Sequence, residues 1–282
     1  MKRVVGPLAI AAVAVAGCED ITNPVEEFGS LVDPFVQFVQ PSTIGTPGSY
    51  NRVIIQMPTR LEEDVTVQYT FGGDAVFGTD YVIVNADSTV RTDVTAAGGT
   101  ASIRYDAGED LLPRDTIIVF VPFDATDGRT LEIEIVSAEA ESGRNVETGY
   151  IDDYRSFSLN VEGFVNVPVG VYASARTGDF GNGTGTVTIS TPAQPIVVDG
   201  VPYNQRLSDY QGDAGVFGIP VPWAFSVTSG GTVLAAPMDA AGYEVTSDVT
   251  GTFDFDSSTL ALDIVLTCCG AAGFGWSMEA TQ

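Results

Sequence analysis

Asp64-Val65-Thr66-Val67-Gln68-Tyr69-Thr70-Phe71 decides how the first half of this chain is read. Val65, Val67, Tyr69 and Phe71 fall on one side of an extended backbone, and Thr66, Gln68 and Thr70 on the other. A period of two is the mark of a strand with one buried face. Working outward, similar runs recur. Phe35, Val36, Phe38 and Val39 form a short apolar run before Pro41, and Arg52–Met57 is a second candidate. Ile117–Val121 is continuously apolar, as in a strand buried on both faces or in a sandwich core. Leu131, Ile133 and Ile135 alternate with Glu132 and Glu134. Gly72-Gly73, Gly98-Gly99, Asp127-Gly128 and Ser142-Gly143 supply turns between the runs. Roughly seven strands in about 130 residues predict a two-layer sandwich of the immunoglobulin type.

Within that stretch, Asp64-Val65-Thr66-Val67-Gln68-Tyr69 followed by Gly78-Thr79-Asp80-Tyr81 resembles the Calx-β pattern. Ile117–Phe123, then Leu131-x-Ile133-x-Ile135, is similar to the paired late strands of that family, and Tyr150-Ile151-Asp152-Asp153 to its closing segment. The resemblance spans about residues 35 to 155 and implies a seven-stranded sandwich. Some members hold calcium between loops at one end. Carried over, that implies Asp80, Asp124, Asp152 and Asp153 as calcium ligands, with Asp127 nearby. Two departures stand against it. The acidic run Asp124-Ala125-Thr126-Asp127-Gly128-Arg129 is short and broken by a cation, and Pro41–Ser49 lacks the family's early glutamate. Calcium wants 6–8 oxygen ligands. The alternative role for these acids is to cap turns and keep a loop end soluble.

From Asn160 to Pro168 the composition changes, and a domain boundary is placed near Gly163. Beyond it, Val187 and Ile189 alternate with Thr186 and Thr188, and Phe225 and Val227 do likewise. Gly251–Phe255 and Leu260–Leu266 flank Asp256-Ser257-Ser258-Thr259, an antiparallel hairpin with Leu260, Leu262, Ile264 and Leu266 on one face. No amphipathic helix is evident. Tyr203–Tyr210 with Leu207-Ser208-Asp209, the Gly251-x-Phe253-Asp254 strand and Trp276 resemble the small β-meander or partial barrel that ends Bacteroidetes-type surface lipoproteins. The predicted class is all-β: a Calx-β-like sandwich over 34–162, then an antiparallel β domain over 163–282.

The amino terminus carries an address. Lys2 and Arg3 precede an apolar run from Val4 to Ala16, and Val15-Ala16-Gly17-Cys18 resembles a bacterial lipobox. That resemblance implies a signal peptide over 1–17 and an acylated Cys18, because the run is shorter than the roughly 20 apolar residues a spanning helix needs. Residues 18–33 are acidic and proline-flanked, as a tether would be. Cys18-Glu19-Asp20 is similar to the export signal of Bacteroidetes surface lipoproteins; in enterobacteria an acid after the cysteine can instead mean inner-membrane retention. The implied location is the outer membrane, on its surface or periplasmic face, with the lipid bilayer as partner through Cys18.

Charge and composition bound the chemistry. Lys and Arg number 12 against 37 Asp and Glu, a net charge of -25. Nucleic acid needs a basic face and is excluded as a partner. With no histidine, Ser-His-Asp and Cys-His catalysis and imidazole-based zinc sites are excluded. Cys268 and Cys269 are adjacent and could form a vicinal ring, sit as small apolar residues, or cross-link two chains. Gly181-Asn182-Gly183-Thr184-Gly185 reads as a hairpin turn, since no lysine or helix follows to cradle phosphate. Tyr203, Tyr210, Trp223, Phe225 and Trp276 beside Asp209 and Asp213 could stack and hydrogen-bond a sugar, or simply fill a barrel core. Acids are everywhere, and no pair stands out for glycoside hydrolysis. The expectation is a non-enzymatic envelope lipoprotein for adhesion, glycan capture or scaffolding, needing no cofactor unless calcium binds. The alternatives are an accessory lipoprotein binding a protein partner in an outer-membrane complex, and a cryptic glycan hydrolase.

Overall fold

The computed structural model describes residues 33–282 apart from 60, 107–111, 151, 180–181, 213–222, 237–245 and 269–270. The predicted signal segment, Cys18 and the predicted tether up to residue 32 lie outside the described residues, as do Ile151, Gly181, Asp213 and Cys269. The protein is all-β. The first ten strands are β1 (Phe35–Phe38), β2 (Ser42–Gly45), β3 (Tyr50–Gln56), β4 (Val65–Gly73), β5 (Val82–Val84), β6 (Gly99–Ile103), β7 (Arg114–Phe120), β8 (Arg129–Ala140), β9 (Asn145–Thr148) and β10 (Ser156–Val161). A 3₁₀ turn, Asp152–Tyr154, precedes β10.

These strands form two layers. One runs β1-β3-β7-β5; the other runs β2-β10-β8-β4-β6, with β2 parallel to β10. Strand β9 ties the layers, antiparallel to β8 and parallel to β1. The alternation in β4 is realised: Val65, Val67 and Tyr69 are buried, while Thr66, Gln68 and Thr70 are exposed. They meet Ile117 and Val119 of β7 and Leu131, Ile133 and Ile135 of β8 in one core. Each such side chain contributes about 1.5–3 kcal/mol on burial. Ile118 and Phe120 are half-buried, so β7 is a one-faced core strand rather than one covered on both sides. Gly73 ends β4 with a φ of +83°, and a Cβ there would stand 2.1 Å from the Thr130 carbonyl oxygen. Only glycine allows that approach.

The second half comprises β11 (Phe164–Val165), β12 (Gly170–Gly178), β13 (Gly183–Ser190), β14 (Ile196–Val198), β15 (Val201–Tyr203), β16 (Gln205–Gly212), β17 (Trp223–Thr228), β18 (Thr232–Ala235), β19 (Thr246–Asp254), β20 (Thr259–Cys268) and β21 (Ala271–Thr281). The ladder runs β12-β13-β16-β17-β18-β19-β20-β21, and β21 returns to pair with β12 from Ala173↔Thr281 to Gly178↔Trp276. The predicted meander or partial barrel is therefore a closed eight-stranded antiparallel barrel. The hairpin forecast around 256–259 is the β19–β20 connection.

Alternation places Tyr172, Val187, Ile189, Phe225, Leu262 and Met278 in the barrel interior. The outer face carries Thr184, Asp263, Ser277 and Glu279, all half-buried or exposed. A barrel crossing a bilayer carries an apolar band outside; these outward positions are polar. The β14–β15 hairpin lies outside the ring, where Tyr203 packs with Ala224 and Ala236.

Strand pairing does not cross residues 162–163 among the described residues. The two units nevertheless meet there. Asp127 of the β7–β8 loop accepts hydrogen bonds from the Gly163 N–H at 2.8 Å and from the Ser229 hydroxyl, and the Ser229 N–H donates to the Gly163 carbonyl at 3.0 Å. Residues 164–165 pair with β17, and Val167 is buried in the barrel core. The segment between the units is thus pinned along its length.

Candidate functional site

The loop end of the sandwich beside this joint gathers several of the acids singled out from sequence. Asp80 is 1 % exposed. One of its carboxylate oxygens accepts the Val76 N–H at 2.8 Å, the other the Thr126 N–H at 2.9 Å. Burial pushes its carboxyl up, but the hydrogen bonds from Thr126 and Val76 outweigh that and hold it below the usual carboxylate range. Asp74 accepts the Thr130 N–H at 2.7 Å and pairs with Arg129 at 3.2 Å. The Thr130 bond is the main reason its carboxyl also lies low. Asp127 is engaged with Gly163 and Ser229, as above. Asp124 is exposed on the same loop.

Asp152 and Asp153 are elsewhere. They form the 3₁₀ turn before β10, whose start pairs with Glu134 and whose end pairs with Arg129. The 6 residues of β10, at about 3.3 Å each, put roughly 20 Å between this turn and the Asp80 loop end. Tyr150–Asp153 therefore does not close the sandwich, because β10 follows it. The four carboxylates do not share one coordination shell, and among the described residues no group of three or more acids could hold a metal ion. Asp74, Asp80 and Asp127 satisfy backbone donors, which is the turn-capping role.

The barrel offers a different geometry. At one end, residues between β11 and β12 fold across the opening. The Gln205 side chain, fully buried, accepts the Val167 N–H at 2.9 Å and donates to the Val167 carbonyl at 2.8 Å. The Tyr172 hydroxyl donates to the Pro168 carbonyl at 2.8 Å. This end is plugged. At the opposite end, called the mouth below, β12, β16, β18 and β20 end and β13, β17, β19 and β21 begin; residues 180–181, 213–222, 237–245 and 269–270 of the connections there lie outside the described residues.

Four of the five residues proposed for ligand contact lie on strands leading to that mouth. Asp209 and Tyr210 are in the second half of β16. Trp223 opens β17, in register with Leu207. Trp276 of β21 is in register with Ile264 and with Gly178, the last residue of β12. In the closed ladder β17 and β21 are on opposite walls. Tyr203 does not join them, being buried beneath the β14–β15 hairpin outside the barrel. Phe225 lines the plugged core.

Sequence inspection passed over Ser174 and Arg176. Both follow Tyr172 on the inward alternation of β12: Ser174 is buried and Arg176 half-buried. The Arg176 side chain lies over Gly183 on β13, where a Cβ would stand 2.9 Å from its Nε. The available signal was the run Tyr172-x-Ser174-x-Arg176, in which polar residues continue the face that an aromatic residue begins.

A concavity of about 600 Å³ lies on the sandwich beside residues 33–34. Asp33, Pro34, Val136 and Arg144 contribute to it, and Arg144 pairs with Asp33 at 3.5 Å across it. No protein-family model matches the chain, and no curated protein matches it.

Proposed function

We propose that this chain is a non-enzymatic envelope lipoprotein whose Calx-β-like sandwich holds a ligand-binding barrel away from the membrane, and that the barrel mouth captures a glycan. The observation that carries this is the asymmetry of the barrel. One end is sealed by Val167 and its Gln205 clamp, while Asp209, Tyr210, Trp223 and Trp276 sit on the strands leading to the other. Eight strands enclose an interior that side chains fill or that holds one small ligand. Aromatic residues with a few polar groups are the usual lining of a sugar site. The lipobox at Cys18 and the acidic tether support anchorage at the outer membrane. The pinned 162–168 segment supports a sandwich that positions the barrel rather than letting it swing.

The test is a glycan array followed by calorimetry on the hits. Binding that falls at least tenfold in Trp223→Ala and in Trp276→Ala, with unfolding midpoints unchanged, is expected. If no glycan binds and a protein partner is instead captured through the sandwich, the accessory-lipoprotein alternative replaces this one.

A further inference from the structure

The two outer faces of the sandwich are built differently. On the layer β2-β10-β8-β4-β6, the outward residues of β4 are Thr66, Gln68 and Thr70, and β8 adds Glu132, Glu134 and Glu139. That is the polar face an antiparallel sheet turns to water. On the layer β1-β3-β7-β5 the outward face is apolar. Register sets Tyr50 of β3 beside Phe120 of β7, Arg52 beside Ile118, and Val82 of β5 beside Phe120. These positions point away from the core, to which the same strands contribute Val53, Ile55, Ile117 and Val119. Tyr50 is exposed, with its ring 4.8 Å from that of Phe120, while Ile54, Ile118, Phe120 and Val82 are half-buried. Apolar residues contiguous across three strands on an outward face mark an interaction surface.

The charges on this face specify the occupant. Arg52 and Arg114 are exposed there, and among the described residues neither forms an ion pair. The outward positions of β1, β3, β5 and β7 hold no acid, in a chain with 37 acids against 12 bases. A second copy presenting the same face would set arginine against arginine. The complement must be acidic as well as apolar, since a guanidinium fork pairs best with a carboxylate. Residues 19–32 have that composition: Glu19, Asp20, Glu26 and Glu27 with no base, interleaved with Ile21, Val25, Phe28 and Leu31. They lead into β1, which pairs with β3 in this layer. Gln37, Gln56 and Arg114 share one row across β1, β3 and β7. Strand spacing and rise then put Arg114 roughly 16 Å from Asp33. Glu27 can lie up to about 20 Å from Asp33 along the chain, so the acid pair reaches the arginine.

We propose that the chain's own residues 19–32 dock on the outer face of the β1-β3-β7-β5 layer, with Glu26 and Glu27 at Arg114 and Arg52 and their apolar neighbours over Ile54, Ile118 and Phe120. Where Cys18 is the anchor, this contact sets which side of the sandwich faces the membrane; the contact itself depends on neither the anchor nor the barrel. Lys2 is the sole lysine, so Arg52→Lys or Arg114→Lys puts a new reactive amine on the face. Carbodiimide treatment of the purified full chain joins that amine to a carboxylate it touches, and mass spectrometry of the digest locates the bond. A link to Glu26 or Glu27 within one chain is expected. A link only to the β8 glutamates of a second copy, seen as a covalent dimer, replaces the proposal by self-association. No link to residues 19–32 overturns it. In parallel, a glutamate-specific protease should cut after Glu26 and Glu27 at least about fivefold faster when Arg52→Glu and Arg114→Glu are combined than in the native chain. Equal rates overturn the contact. If that pair fails to fold, the cross-link from either single lysine variant still decides.

Discussion

Asp80→Asn is the sharpest probe of the sandwich, because it changes one atom at a buried carboxylate whose partners are known. Asp80 is 1 % exposed and accepts two backbone N–H groups, from Val76 and Thr126. Asparagine keeps the shape but removes the charge and turns one acceptor into an amide donor facing an N–H. A bond to a charged group contributes ~1.5–3 kcal/mol, and a buried donor left unpaired costs ~1–3 kcal/mol. With one bond lost and the other reduced to neutral strength, the loss is about 2–4 kcal/mol; Asp80→Ala, which strands both donors, should cost more. Urea unfolding at pH 7 should show a lower midpoint at unchanged slope. The pH dependence has a definite sign. The Asp80 carboxyl lies below its ordinary value in the folded state. Its contribution is therefore present above the ordinary aspartate pKa of about 3.9 and is lost as pH falls through the folded value. The gap between the native chain and Asp80→Asn should narrow below about pH 4. A variant as stable as the native chain at pH 7, or a gap unchanged down to about pH 2, would refute the role assigned to this carboxylate. So would a gap that appears only when calcium is present.

Three further outcomes are expected. Gln205→Leu leaves the N–H and carbonyl of Val167 unpaired in the core, and should destabilise the barrel by ~2–4 kcal/mol and open 166–169 to proteases, as urea unfolding and mapped cleavage would show. The melting temperature should be indifferent to millimolar calcium both in the native chain and in the variant with Asp152→Asn and Asp153→Asn; a calcium shift in the native chain that this pair removes would reinstate them as ligands. Cys18→Ser should move the protein from the membrane to the soluble fraction, since each buried methylene of an acyl chain contributes ~0.8 kcal/mol; retention on membranes after a salt wash would contradict the anchor.

The strands were legible where one face is buried, because β4 and β8 must alternate to satisfy core and water together. The same logic located the β19–β20 hairpin. Closure of the barrel was not legible. It depends on β12 meeting β21 about a hundred residues later, and nothing local to Ala173 or Thr281 encodes that pairing. The proposed calcium set is not brought together, for a related reason. Short acidic motifs fix a residue's neighbours in sequence, whereas the distance between Asp80 and Asp153 is set by the length and direction of β10. Tyr203 was grouped with the tryptophans by composition, but the β14–β15 hairpin carries it outside the ring.

Polar residues at inward positions of an otherwise apolar barrel sort themselves by whether their hydrogen bonds are met. Gln205 breaks the apolar pattern of β16, and both ends of its amide are matched by Val167. Its position is explained by sealing one end of the barrel, and a ligand has nothing to add there. Ser174 breaks the pattern of β12, and its hydroxyl is not matched. A core selected for stability alone would carry alanine or valine at that level, since either removes an unfavourable buried hydroxyl. The two inward polar residues thus differ in kind: Gln205 completes the fold at the plugged end, whereas the Ser174 hydroxyl is left unmatched within the barrel wall.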